Sequence, residues 1–352
     1  MKNRKDEHVE LALKFYNKKN KSDFDNIKFV YNSLPEMSLD DVDISTTVSK
    51  IKMEYPFFIN AMTGGSENTK SINEKLATLA KRTGIAMASG SLSAALKDDS
   101  VRDSFEIIRT INDDGIIFAN IGAEYNVEKA NRAVEILDAD ALQIHLNVIQ
   151  ELVMPEGDRD FSNWLINIER IIKGIDVPVI IKEVGFGMSR ETIKKLYDIG
   201  ATTIDISGTG GTNFAAIENY RRKKEEYKYL EEMGQSTVVS LLESQEFIND
   251  VDIISSGGVR NPLDIVKSLA LGAKAVGLSS FFLNEVLNNG VDATVDLINR
   301  WKDEIKVIMT LLGCSNIKNL LNTDILVMDD VKDWCQVRDI SYKRFANRSN
   351  NQ

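Results

Sequence analysis

Histidine and cysteine are scarce in this 352-residue chain, which holds two of each. Cys314 and Cys335 stand at no metal-binding spacing, so a thiolate metal centre is excluded and two reduced, buried, inert thiols are expected. His8 and His145 alone do not make a histidine-rich metal site. A hard cation held by Glu151 oxygen and substrate phosphates stays open. No apolar run approaches the ~20 residues that a membrane span needs. The opening MKNRKDEHVELALKFY has no apolar signal core, so the cytoplasm is the expected location. A net charge of -10 speaks against a general nucleic-acid binder, although a small basic cluster can still serve an anionic substrate. A complete dinucleotide fingerprint is also missing. Gly185-Phe186-Gly187-Met188-Ser189-Arg190 follows a strand pattern without the third glycine, Gly208-Thr209-Gly210-Gly211 is no closer, and no Rossmann nicotinamide domain is expected.

What is present is an ordinary globular composition, 43% apolar and 27% charged, arranged periodically. Strand-length apolar runs occur at Phe57–Met62, Ile85–Ala88, Ile116–Ala119, Ala141–Leu146, Val179–Ile181, Thr203–Ile206, Ile253–Ile254 and Ala275–Leu278. Helical patterns separate them, among them Ile72/Leu76/Leu79/Ala80, Ala130/Val134/Leu137 and Trp164/Ile168/Ile171. Eight runs alternating with helices predict parallel strands joined by right-handed crossovers, closed as a (β/α)8 TIM barrel. We expect a single domain over 1–352: an N-terminal extension (1–50), a barrel core (51–282) and a C-terminal helical closure (283–352). A short helix is expected around Glu10 to Tyr16, and by composition Arg4-Lys5-Asp6-Glu7-His8 reads as a solvated tail. The long connection from 208 to 251, after the sixth strand, is a lid candidate, while its Arg221-Arg222-Lys223-Lys224-Glu225-Glu226 reads as a solvated helix face. Closing helices are expected at Phe281–Leu287 and Val291–Leu312, and Asp329–Arg348 as a tail packed outside.

The stretch from Asp252 to Ser280 organises the rest. A strand at Ile253-Ile254 meets Gly257-Gly258, and Asn261-Pro262 opens a helix with Leu263, Val266, Leu269 and Ala270 on one face. Gly272 stops it, and a second strand ends at Ser279-Ser280. Backbone N–H groups of both loops can converge on one phosphate, as at the last two strands of many such barrels. The other strand ends are small and polar: Ala61-Met62-Thr63-Gly64-Gly65, Ser89-Gly90-Ser91, Asn120-Ile121-Gly122, His145-Leu146-Asn147 with Gln150-Glu151, Lys182-Glu183, and Ser207 to Thr212. Together they predict a large polar ligand. Lys182, closing the buried run Val179-Ile180-Ile181, needs an anionic partner or a lowered pKa. Spacing leaves it as a Schiff-base nucleophile, a phosphate ligand, a charge beside a flavin N1, or a structural ion pair, with Glu183 the nearest carboxylate.

Seven segments in order then carry a resemblance: Arg4–His8, Asn60–Gly65, His145–Asn147 with Gln150-Glu151, Pro155–Asp158, Lys182–Gly187, Gly208–Thr212 and Ser256–Arg260. Over residues 4 to about 280 the chain resembles the FMN-dependent, type 2 isopentenyl-diphosphate isomerase family. The resemblance implies interconversion of isopentenyl and dimethylallyl diphosphate, a step of isoprenoid biosynthesis, by a homotetramer or homo-octamer. It implies FMN held by Ala61, Met62, Thr63, Ser91, Asn120, Lys182, Ser207, Thr212, Gly257, Gly258, Val259, Ser279 and Ser280. It places Arg4 and Lys5 on the diphosphate with His8 nearby, which replaces the tail reading, and His8, Ser91, Asn147 and Gln150 among the substrate-binding residues. Glu151 would ligate Mg²⁺; His145, Gln150 and Lys182 would act in catalysis, with the reduced flavin itself as acid and base and Lys182 favouring its anionic form. NADPH would reduce the flavin without being a stoichiometric substrate. At Leu92 the chain departs from the polar residue of many members, so no substrate contact is assigned there. The nearest alternative, an FMN-dependent 2-hydroxy-acid oxidase or dehydrogenase, requires a histidine base and an arginine clamp after the sixth strand. The segment Ser207–Asn213 has neither.

Overall fold

The computed structural model describes residues 4–16, 22–222 and 226–351. Eight parallel strands close into a barrel in chain order, Phe57–Ile59, Met87–Ala88, Ile117–Gly122, Ala141–Leu146, Val179–Glu183, Thr203–Asp205, Asp252–Ser256 and Ala273–Leu278. Each falls within or overlaps one expected apolar run. The runs were legible because the strands are buried on both faces, by the helices outside and by the barrel interior within.

Side chains alternate between those two faces. Phe58, Phe118, Ala141, Ile180 and Ile254 form one apolar cluster contributed by many strands, hence inside the barrel, with Phe58 and Phe118 edge to face at 5.6 Å. Two residues further along the same strands, the inward positions become Asn60, Asn120, Gln143, Lys182 and Ser256, all buried. Another two residues bring His145 and Gly258 toward the C-terminal mouth. An apolar plug, a polar layer and an open mouth are thus written at a period of two along each strand.

The closing elements follow the expected pattern with identifiable departures. Helix Arg4–Phe15 starts earlier than its apolar pattern suggests and buries Val9, Leu11 and Ala12, so Arg4 to His8 are part of a docked helix. Pro262 occupies the first turn of helix Pro262–Ala270, which leaves Leu263 41% exposed; Ile265 joins Val266, Leu269 and Ala270 in the core instead. The connection after the sixth strand is built around helices Phe214–Arg221 and Thr237–Glu243. Arg221 and Arg222 are not on a solvated face: their side chains are 12% and 18% exposed and engage carboxylates. Lys223, Lys224 and Glu225 of that charge run lie outside the described residues. The long helix Ser280–Leu311 breaks at Gly290 (φ 81°), between the two closing helices expected there. The region after 283 is not helical throughout, because Ile325–Val327 pairs antiparallel with Ile27–Phe29 and ties the two ends of the chain together. Cys314 and Cys335 are buried free thiols, each pushed up to about 11 by burial. Among the described residues no helix is long and apolar enough to cross a membrane.

Candidate active site

A cavity of about 850 Å³ opens at the C-terminal ends of the strands, roofed by helix Arg4–Phe15 and by the connection after the sixth strand. Every site residue expected from the sequence lines it. Ala61, Met62, Thr63, Ser91, Asn120, Lys182 and Ser207 come from the strand ends, and Thr212, Gly257, Gly258, Val259, Ser279 and Ser280 from the glycine- and serine-rich loops. Arg4, Lys5 and His8 reach in from the N-terminal helix, facing His145, Asn147, Gln150 and Glu151 of the fourth strand and the helix after it. Leu92 does not line the cavity; it is fully buried in the core.

The loops after the sixth and seventh strands pack glycine on glycine. A Cβ on Gly211 would stand 3.3 Å from Gly257 Cα, and one on Gly257 only 2.1 Å from the Gly208 carbonyl oxygen. Gly257 and Gly258 have φ of 88° and 71°, a region that side-chain-bearing residues rarely adopt. Beside them, helix Ser280–Leu311 begins at Ser279, whose side chain makes no capping bond. A helix start without a side-chain cap and a turn free of side chains suit an oxyanion, so the site fits the phosphate of FMN. Gly257→Ala is expected to cost about 1–3 kcal/mol of stability and to lower flavin retention. Unfolding midpoint and bound-flavin absorbance per protein check both; unchanged values would remove this turn from the cofactor site.

Lys182 is 5% exposed, and its Nζ lies 3.3 Å from Asp205 Oδ2 and donates to the Glu183 backbone carbonyl at 2.7 Å. The anionic partner is therefore Asp205, not the Glu183 carboxylate. Glu183 Oε2 turns away to accept the N–H groups of Val184, Gly185 and Phe186, and burial pushes that carboxyl up to about 7. Anchored between the Asp205 carboxylate and the Glu183 carbonyl, Lys182 Nζ is placed as an anion-facing cation rather than as a free Schiff-base amine.

The opposite wall is basic above and amide-rich below. Burial, then the charges of Arg4 and Lys97, brings Lys5 down to about 8. His145 is brought down to about 3, by burial first and then by Lys5 and Lys182, so its ring is neutral at physiological pH. Glu151 Oε1 accepts from Asn147 Nδ2 at 2.8 Å and its Oε2 from the Asp158 N–H at 2.8 Å, which fixes the carboxylate at the cavity wall. Among the described residues no three histidine, cysteine or acidic side chains cluster as a metal site, so a cation here needs phosphate oxygens as further ligands.

Three residues escaped the sequence reading. Asp205 is fully buried within the run Thr203–Ile206, where its charge was the available signal. Glu218, also fully buried, lies 2.9 Å from His8 Nε2, accepts from Gln150 Nε2 at 3.2 Å and pairs closely with Arg221. Burial alone would raise the Glu218 pKa, but His8 and Arg221 outweigh it and hold the carboxyl below its ordinary value. Arg221 also reaches Glu7 at 3.1 Å and Glu156 at 2.7 Å. One guanidinium thus joins the N-terminal helix, the connection after the sixth strand and the loop beyond Glu151.

Barrel, phosphate cradle and buried lysine define a flavin-binding barrel, and residues 126–327 match the family model of FMN-dependent dehydrogenases. Within that class the chain belongs to the isopentenyl-diphosphate delta-isomerase family. It is 52% identical over 343 residues to an isopentenyl-diphosphate delta-isomerase of Staphylococcus epidermidis, covering 97% of both chains. Its identity to the protein of that name from Staphylococcus haemolyticus is 51% over 341 residues, again 97% of each. A flavocytochrome b2 mutant with benzoylformate superposes with a TM-score of 0.63 at 20% identity, covering 92% of this chain and 79% of that one. Mandelate oxidase with (S)-2-phenylpropionate gives 0.64 at 16%, covering 91% and 90%. Those two likenesses establish a shared fold.

Proposed function

We propose that this chain interconverts isopentenyl and dimethylallyl diphosphate on reduced FMN. The observation that carries the reading is a single cavity with a phosphate cradle at Gly257-Gly258 and Ser279-Ser280 on one side and Arg4, Lys5 and His8 on the other. Two separate anion sites suit a cofactor phosphate and a substrate diphosphate. The cradle, with Ala61, Met62, Thr63, Ser91, Asn120, Lys182, Ser207, Thr212 and Val259, would hold FMN. Bound there and reduced, FMN would supply an electron-rich face that exchanges a proton with the alkene and steadies the tertiary cation.

The chain's own residues do the rest. Lys182 offers a fixed positive charge where anionic reduced flavin needs one. Arg4, Lys5 and His8, with Ser91 and Asn147, grip the substrate and hold its alkene in place, so that proton transfer is effectively intramolecular. Gln150, held through Glu218, and His145 line the reacting end. Glu151 would hold Mg²⁺ together with diphosphate oxygens, neutralising charge without a dedicated cage. The docked helix and the connection after the sixth strand exclude the water that would trap a cation. NADPH serves as reductant of the resting flavin, the protein works in the cytoplasm as a homotetramer or homo-octamer, and it engages neither nucleic acid nor membrane.

The direct test incubates the purified, FMN-loaded protein anaerobically with isopentenyl diphosphate and Mg²⁺, and separately with 2-hydroxy acids. Dimethylallyl diphosphate from the first and no flavin reduction by the second are expected; the reverse pattern would replace the isomerase with an oxidase. The Lys5 shift adds a pH dependence. With its pKa lowered to about 8, Lys5 sheds its charge as pH rises through that value. We expect kcat/KM to fall about tenfold across that step, the loss of one charge-assisted contact. The step should vanish in Lys5→Met; a profile identical in both proteins would take Lys5 off the diphosphate.

A further inference from the structure

The polar layer of the barrel forms one hydrogen-bonded chain from Lys182 to His145. Lys182 Nζ lies 3.3 Å from Asp205 Oδ2, which accepts from Asn60 Nδ2 at 2.7 Å. Asn60 Oδ1 accepts from Gln143 Nε2 at 3.0 Å, Gln143 Oε1 from Asn120 Nδ2 at 3.1 Å, and Asn120 Oδ1 faces His145 Nδ1 at 2.8 Å. Asn60, Gln143, Asn120 and Asp205 are at most 2% exposed, so their polar atoms depend on these partners.

The direction of this chain is fixed at its far end, twice. Asp205 meets the Lys182 ammonium, the Ser256 hydroxyl at 2.6 Å and the Ser207 N–H at 3.2 Å, an environment for a carboxylate that only accepts. Asn60 must therefore turn its NH₂ to Asp205. Independently, the Ala61 backbone N–H donates to Asn60 Oδ1 at 2.9 Å, and a backbone N–H can only donate. With Asn60 so oriented, Gln143 must present its NH₂ to Asn60 and its oxygen to Asn120. Asn120 must then present its NH₂ to Gln143 and its oxygen to His145. The last link leaves Nδ1 as the protonated nitrogen.

We propose that Asp205, Asn60, Gln143 and Asn120 are positioning residues that lock His145 in the Nδ1–H tautomer, so that it offers the cavity an unprotonated Nε2. His145 thereby acts as a hydrogen-bond acceptor at the reacting end, and the diphosphate is left to Arg4, Lys5 and His8. Its neutrality agrees with the depressed pKa of about 3. The catalytic consequence rests on the isomerase reading, but the tautomer does not.

The chain holds only two histidines, so ¹⁵N–¹H correlation spectra of the FMN-loaded protein, assigned with a His8→Gln variant, report His145 directly. We expect Nδ1–H with a bare Nε2, unchanged between pH 6 and 8 (approximate limits, well above the depressed pKa). An Nε2–H or doubly protonated ring in that protein overturns the proposal, whatever its activity. Gln143→Leu keeps the volume and cuts the chain, freeing Asn120 to turn over; the tautomer should become mixed or reverse. Gln143→Glu, as a neutral acid, can still donate to Asn60 and accept from Asn120, and should retain the original tautomer. A wrong tautomer costs ~10⁴-fold in kcat where a histidine is the essential base, and we expect at least about tenfold in Gln143→Leu with KM little changed. A folded Gln143→Leu protein with the original single tautomer also overturns the proposal. If that variant does not fold, the spectrum of the unsubstituted protein decides alone. The native tautomer without any isomerase activity would support the lock and sink the functional reading instead.

Discussion

Replacing Lys182 with methionine is expected to cost about 3–5 kcal/mol of stability and to lower kcat on the order of 10²–10³-fold. Both effects come from one position. The Asp205 carboxylate is fully buried, and Lys182 is the cation facing it across adjacent strands in register. Without the ammonium, Asp205 keeps three hydrogen-bond donors but no countercharge, and a lone buried charge is costly. Adding Asp205→Asn removes that charge, so the double variant should recover most of the stability. It should not recover turnover if, as proposed, Lys182 supplies the positive charge beside the cofactor. Denaturant unfolding and steady-state kinetics on the three proteins separate the two contributions. A single variant as stable as the parent would remove the ion-pair role of Lys182, and a double variant with restored activity would remove its role in turnover.

The second large effect is expected at Arg221. Arg221→Met would leave Glu7, Glu156 and the fully buried Glu218 without their shared guanidinium. Glu218 would retain His8 and Gln150, so the barrel should stay folded while the N-terminal helix loses its clamp. Because that helix carries Arg4, Lys5 and His8, the cost should appear in substrate binding. We expect KM for isopentenyl diphosphate to rise roughly 10- to 100-fold, or about 1.4–2.8 kcal/mol, with a smaller change in kcat. Flavin content should not change, since Arg221 does not line the cavity. An unaltered KM in a folded protein would mean that the helix is held without this clamp.

These two residues mark where sequence reading succeeds and where it stops. The barrel was legible because parallel strands buried on both faces appear as uninterrupted apolar runs, and because small polar residues gather where each run ends. Lys182 stood out as a charge closing such a run. Its partner did not, because register between the fifth and sixth strands, which sets Lys182 opposite Asp205, is a property of the closed sheet. Arg221 shows the opposite error. A charge run on a short helix reads as a solvated face until a helix more than 200 residues earlier in the chain is laid across it, as the Arg221–Glu7 contact shows. The same holds for Arg4 to His8, whose local composition is that of a loose tail; only the resemblance to a known family placed them at a substrate. The amide chain from Asn60 to Asn120 lies between these cases. Alternation along the strands points each residue inward, but the links between strands need the barrel to be closed.

On the proposed reading the flavin works reduced and is not consumed. The measurement that tests it most directly counts dimethylallyl diphosphate formed per NADPH oxidised, anaerobically, on protein whose FMN has been reduced once and on protein left oxidised. Many product molecules per NADPH are expected on the reduced protein and none on the oxidised one. One NADPH consumed per product, or equal turnover on oxidised flavin, would contradict it.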